Sequence, residues 1–145
     1  MRAASRRWRH RRIRTARLHA ARSRALGICV NDDGTLTMPF SPQIIGNPIL
    51  PAIHGGMTGA FLETTAIIGV ARELGAAAPP KPIGLTVNYL RSGRALDTFA
   101  NVSIVKQGRR IVAFEARAWQ DDADKPIATA FGHFMLRPTP GSDDE

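Results

Sequence analysis

Apolar and polar residues change their rhythm along this chain. From residue 83 onward they alternate with a period of two over four runs, roughly 83–91, 97–106, 110–119 and 126–136. That is the pattern of strands with one buried face. In the third run Val112, Phe114, Ala116 and Ala118 share one face, while Glu115 and Arg117 share the other. In the fourth, Ala128, Ala130 and Gly132 form a face of small side chains, which predicts that another element lies close against it. Gln107-Gly108 reads as the tight turn between the second and third runs. Upstream the rhythm differs. Residues 57–74 are apolar on nearly all sides, which predicts a helix buried all round and stopped by Gly75. Residues 27–31 and 35–39 read as short strands flanking Asp32-Asp33-Gly34, a hairpin signal. Between them and the helix, residues 40–53 carry Pro42, Pro48 and Pro51 and read as an irregular, extended loop. A strand pair, one long helix and four antiparallel strands make an α+β fold, and a sheet curled around the helix is the simplest way to bury it.

The 145 residues suit one domain with a sizeable core. Its expected limits are 21–137, after a basic arm over 1–20 and before an acidic tail over 138–145. A short lead-in helix is expected over 17–26. The net charge of +8 belongs to the arm: ten of the twenty Lys or Arg are arginines in residues 1–24, which hold no Asp or Glu. The other ten face all twelve Asp or Glu, so the body is near neutral to acidic. A nucleic-acid-binding domain would carry positive charge on its body, so no nucleic-acid partner is expected. Ser5-Arg6-Arg7-Trp8 is similar to the start of a twin-arginine signal, but no apolar stretch follows it. The acid-free arginine-rich start also has the composition of an organelle transit peptide; a solvated arm or an upstream start site is the favoured reading. The single cysteine, Cys29, makes no internal disulfide and no cysteine-based metal site, which fits a reducing cytoplasm, and neither a metal nor a cofactor is expected in this cytoplasmic reading. The apolar helix is too short to span a bilayer and carries a carboxylate, so no membrane association is expected.

That carboxylate, Glu63, is the only formal charge between Asp33 and Arg72. A carboxylate among Ala60, Phe61, Leu62, Ala66 and Ile67 is costly to bury, and enzymes place general bases or nucleophiles in such settings. The alternative, an arginine partner or a solvent-facing position, stands beside it with equal weight. His54-Gly55-Gly56 lies directly before the helix. Helix N-termini offer unpaired N–H groups and partial positive charge, and glycine permits close approach, so this turn has the makings of an oxyanion site. By itself the glycine pair is a weak signal, and His54 reads as a hydrogen-bonding structural residue rather than a catalyst.

The segment HGGMTGAFLE, from His54 to Glu63, resembles the signature of PaaI-type hotdog thioesterases, relatives of 4-hydroxybenzoyl-CoA thioesterase. LTVNYLRSG (85–93) is similar to their second core strand, and residues 104–134 to their last three strands. The likeness spans roughly 22–137. It implies a hotdog fold, an acyl-CoA or aryl-CoA substrate, and self-association as a dimer or dimer of dimers. It further implies that Glu63 is the base or nucleophile and that Gly56, with Gly55, supplies the oxyanion N–H. It adds His54 and the polar loop residue Asn47 to the site, although Asn47 lies seven residues before His54 where six are expected. Arg91, Lys106, Arg109 and Arg110 become candidates for the CoA phosphates, although solvated strand ends are the commoner role of such residues. Pro82 falls near where some relatives carry a further Ser or Thr, for which Thr64 and Thr65 are substitutes only on paper. Two other functions compete: a hotdog dehydratase or hydratase, faintly suggested by residues 47–51, and a non-catalytic acyl-CoA sensor that uses its arm on nucleic acid. Because residues 1–16 have little apolar surface to bury, their removal is expected to leave melting temperature and thioester hydrolysis nearly unchanged. A large drop in melting temperature would show that the arm packs on the domain.

Overall fold

The computed structural model describes residues 24–76 and 78–137. The arm, most of the lead-in helix and the tail lie outside those residues; residues 24–26 are helical. The predicted hairpin forms from β1 (Cys29–Val30) and β2 (Leu36–Met38), paired Cys29 to Thr37 and Val30 to Leu36. At its turn the Asp33 carboxylate accepts from the Thr35 hydroxyl at 2.6 Å and the Thr35 N–H at 2.9 Å. These two bonds hold the Asp33 carboxyl below the usual carboxylate range.

Residues 40–53 are more ordered than a loop. A single 3-10 turn, Pro42–Ile44, leads into a small antiparallel pair, β3 (Ile45–Asn47) and β4 (Ala52–Ile53). Strands of three and two residues are too short to show alternation, and the pairing contains an irregularity after Ile45. Pro48 and Pro51 fall in the connection between them, where no ladder bond is lost.

Helix α1 spans Gly55–Leu74, starting two residues before the apolar run suggests because His54 caps it. Gly75 ends it in the left-handed conformation, φ 60°, and its N–H reaches the carbonyls of Ala71 and Arg72. The remaining strands are β5 (Lys81–Tyr89), β6 (Thr98–Gln107), β7 (Ile111–Trp119) and β8 (Ala128–Met135). With β1 and β2 they form one six-stranded antiparallel sheet in the order β1-β2-β6-β7-β8-β5. β5 starts at Lys81 and includes Pro82, which an edge strand tolerates.

The sheet packs one face on α1. Phe61 and Leu62, in the first half of the helix, join Ala100, Ala118 and Ala128 in one apolar cluster. Ala66, Ile67 and Val70, further along, join Val112, Phe114 and Phe134 in a second. The helix therefore runs from the β8 start towards the β6–β7 hairpin. The small-residue face acts as its sequence suggests: Ala128, Ala130 and Gly132 are all buried. A Cβ on Gly69 would overlap Val102, so helix and sheet touch closely there. A Cβ on Gly132 would overlap the Gly84 carbonyl oxygen and press on Phe114, whose ring stacks on Phe134 at 4.4 Å. Backbone cannot step aside as a side chain can. Gly132→Ala is therefore expected to destabilise by about 1–3 kcal/mol, read as a lower urea midpoint at unchanged slope. An unchanged midpoint would show that the β5 bulge at Gly84 yields freely.

Candidate active site

The amide of Gln120, buried at the end of β7, begins the scaffold of the site. Its Oε1 accepts from the Arg94 N–H at 3.0 Å, and its Nε2 donates to the Arg94 carbonyl at 2.9 Å. Arg94 also pairs with Asp121. The 90–97 connection is thereby fixed, and the Gly93 carbonyl in it accepts from the Ile53 N–H at 2.8 Å. On the other side the His54 N–H donates to the Ile44 carbonyl at 2.8 Å. Gly46 makes this approach possible, since a Cβ there would come within 2.9 Å of the His54 backbone. Three segments distant in sequence thus hold the residue that starts the helix.

His54 caps α1 with its own ring: Nδ1 accepts from the Gly56 N–H at 2.9 Å. An accepting Nδ1 places the imidazole proton on Nε2. The cap also commits the Gly56 N–H, the donor favoured from sequence. The neighbouring Gly55 N–H finds no acceptor among the described residues. Of the two glycine N–H groups at the helix start, the one at Gly55 is open and the one at Gly56 is taken by the cap.

Gly55 lines a cavity of about 380 Å³ at the helix start, with Ala52, Ile53, Thr58, Tyr89, Arg91 and Ile127 among its walls. Tyr89 and Thr58 carry no sequence signal for the site. Tyr89 ends β5 and donates its hydroxyl to the Gly55 carbonyl at 2.7 Å. Buried Thr58 lies one turn into the helix. Arg91, of the four basic candidates, is in the cavity wall. Lys106, Arg109 and Arg110 lie around the β6–β7 hairpin, at the opposite end of the sheet. Six residues of β8 separate the two ends, roughly 20 Å of strand. One chain does not bring the four together.

Glu63 sits two turns along α1, half-buried rather than enclosed, and does not line the cavity. Asn47 is exposed, and its Oδ1 accepts from the N–H groups of Ile49 at 3.0 Å and Leu50 at 3.3 Å, shaping the 48–51 turn. Thr64 and Thr65 bond back to the carbonyls of Ala60 and Phe61, both at 2.8 Å, and so stay within the helix. Pro82 pairs opposite Phe134, near the far end of β5 from the cavity. Among the described residues there is no cluster of three or more side chains suited to hold a metal, and no helix is long and apolar enough to cross a membrane.

With this geometry in view, the likeness to known proteins is informative. No curated protein matches the sequence. Among solved structures, a protein of Chromobacterium violaceum shares 32% identity, with 85% of this chain and 86% of that one covered and a TM-score of 0.64. A Bacillus halodurans protein crystallised with CoA shares 24%, covering 87% and 83% with a TM-score of 0.69. The structure of a phenylacetic acid degradation-related protein from Ralstonia eutropha shares 24%, covering 80% and 89% with a TM-score of 0.68. The family described as acyl-CoA thioesterase N-terminal domain matches residues 46–135, from the β3 strand to the end of β8. The long helix, the four long strands β5 to β8 and the residues lining the cavity all fall within that match, and the chain belongs to this acyl-CoA thioesterase family, with the hotdog fold of the thioesterase superfamily.

Proposed function

We propose that the protein hydrolyses acyl-CoA or aryl-CoA thioesters to the free acid and CoA. The observation that carries this reading is the cavity at the start of α1, lined by Gly55, whose N–H has no acceptor among the described residues. Family membership and the CoA-bound Bacillus halodurans relative support the substrate class. In this mechanism the thioester carbonyl oxygen sits against the Gly55 N–H, where the helix terminus favours the charge that develops on it. Glu63 either takes a proton from the attacking water or attacks the carbonyl carbon itself. With water as the nucleophile, collapse of the intermediate breaks the C–S bond to give the free acid, and the proton taken by Glu63 passes to the CoA thiolate. With Glu63 as the nucleophile, collapse leaves an anhydride between Glu63 and the acyl group, which water hydrolyses to the free acid and the regenerated carboxylate while the thiolate takes a proton from that water. Arg91, in the cavity wall, receives CoA phosphate oxygens. Asn47 orders the turn that leads into Ala52 of the same wall.

One chain does not complete this site. Gly55 and Glu63 are eight residues apart on one helix, about 12 Å along its axis. The carboxylate and the oxyanion donor have to reach the same carbonyl, with the donor about 3 Å from its oxygen. Two antiparallel helices related by a two-fold axis satisfy this, because the Gly55 end of one then lies beside the Glu63 region of the other. A two-fold axis gives two equivalent sites per dimer.

Glu63→Gln keeps size and removes basicity, so kcat on acyl-CoA substrates is expected to fall ~10²–10⁴-fold in a folded protein. Wild-type turnover in that variant would end the assignment. Gly55→Pro removes the N–H at the first helical position, where proline is tolerated, and kcat is expected to fall ~10²–10³-fold. Mixing the two inactive variants tests sharing: a heterodimer should regain one working site. A fully active monomer in ultracentrifugation, or no recovery in verified heterodimers, would exclude a shared site.

A further inference from the structure

Gly55 stands between two peptide groups. Its N–H, the proposed oxyanion donor, belongs to the peptide shared with His54, whereas its carbonyl belongs to the peptide shared with Gly56. A glycine ordinarily lets such neighbouring planes turn freely. Here the Gly55–Gly56 peptide is held at both edges: the Tyr89 hydroxyl donates to its oxygen at 2.7 Å, and its N–H donates to His54 Nδ1 at 2.9 Å. The His54 N–H is itself tied to the Ile44 carbonyl.

The contact with Tyr89 is built rather than incidental. Leu85, Val87 and Tyr89 alternate onto the face of β5 that meets the helix. The Tyr89 ring lies across two glycines one turn apart. A Cβ on Gly55 would stand 3.4 Å from the ring, and one on Gly59 would stand 3.2 Å from the hydroxyl. A larger residue at Gly59 would press on the hydroxyl that reaches the Gly55 carbonyl. The bond joins residues 34 positions apart and ties the end of the edge strand to the start of the helix.

We propose that Tyr89 is a positioning residue for thioester hydrolysis: its hydroxyl anchors the Gly55–Gly56 peptide and so fixes the direction of the Gly55 N–H. The proposal rests on the thioesterase reading for its role in turnover and on the hydrogen bonds alone for the clamp. Donation to a peptide oxygen also polarises that peptide and strengthens its N–H as a donor to His54. Oxyanion stabilisation depends on donors that are aimed before the charge appears, so loosening this peptide costs rate rather than binding.

Tyr89→Phe keeps the ring over both glycines and removes only the hydroxyl. Amide NMR of the full chain reads the clamp without substrate. The Gly55 and Gly56 amide resonances are expected to shift, and the hydrogen exchange of the bonded Gly56 N–H to quicken ~10-fold, while Thr65 and Ile67 in mid-helix stay unchanged. In kinetics with hexanoyl-CoA, benzoyl-CoA and phenylacetyl-CoA as probes, kcat on the best of the three is expected to fall about 3- to 10-fold with KM within about twofold. Unmoved glycine amides would overturn the clamp. A raised KM at constant kcat would overturn the positioning role, because Tyr89 would then be contacting substrate directly. Absence of wild-type turnover on all three probes would count against the thioesterase reading and the role in turnover, while the amide arm still decides the clamp.

Discussion

A helix whose only formal charge between Gly55 and Ala71 is Glu63 has to bury most of its surface, and the sheet covers it except along Gly56, Ala60 and Glu63, which stay exposed or half-buried. The rest of the structure follows from that constraint. Enclosure by a single sheet demands strands that curl round the helix and side chains small enough to let it in. Ala100, Ala116, Ala118, Ala128 and Ala130 supply that inner face, and Gly132 carries it further. Larger residues gather towards the helix C-terminus, where Phe114 and Phe134 stack beneath Ala66, Ile67 and Val70. The helix cannot slide easily between these two differently sized halves of the core, and its N-terminus is held at one end of the sheet as a result.

A fixed helix start is only useful if its N–H groups are divided between structure and chemistry. An aspartate or serine cap at this position would accept from the first turn as His54 does. Histidine caps through Nδ1 and keeps a second nitrogen, Nε2, that carries the ring proton. It satisfies one glycine N–H and leaves the adjacent one open. The bonds from Gln120 through Gly93 to Ile53, and from Ile44 to His54, hold this arrangement from outside the helix. Such support matters because a donor displaced by a fraction of an ångström stabilises a developing charge poorly.

The parts of this protein that follow a period were legible in its sequence. The buried and exposed faces of β7 fall where the alternation of Val112, Phe114, Ala116 and Ala118 against Glu115 and Arg117 puts them. The helix stop at Gly75 was equally legible, because only its conformation could satisfy the last carbonyls there. What had no period was lost. The β3–β4 pair contributes three and two residues, too few for any pattern. Tyr89 reads as one more outward or inward residue of a strand until its strand end is placed beside a helix start 34 residues earlier. The division between Gly55 and Gly56 was also hidden, since the sequence HGG does not say which N–H the histidine ring will take. The four basic candidates looked like one set for a similar reason: sequence shows charge but not which end of a sheet it occupies.

The separation of the four basic candidates has a geometric reading under the proposed two-fold arrangement. α1 begins at the cavity and ends beside Val112 and Phe134, near the hairpin that carries Arg109 and Arg110. If the Glu63 region of one helix lies beside Gly55 of its partner, the remaining eleven residues to Leu74 carry that helix about 16 Å beyond the partner's cavity. Its basic hairpin travels with it, because the hairpin strands pack on the same end of the helix. Lys106, Arg109 and Arg110 would then stand beyond the mouth of the partner's site, well away from the thioester. Phosphates lie at the opposite end of CoA from its thioester, so charge is wanted at that distance as well as at the cavity wall, where Arg91 stands. Arg91 and the hairpin trio, separated within one chain, would in this way flank one CoA from two chains.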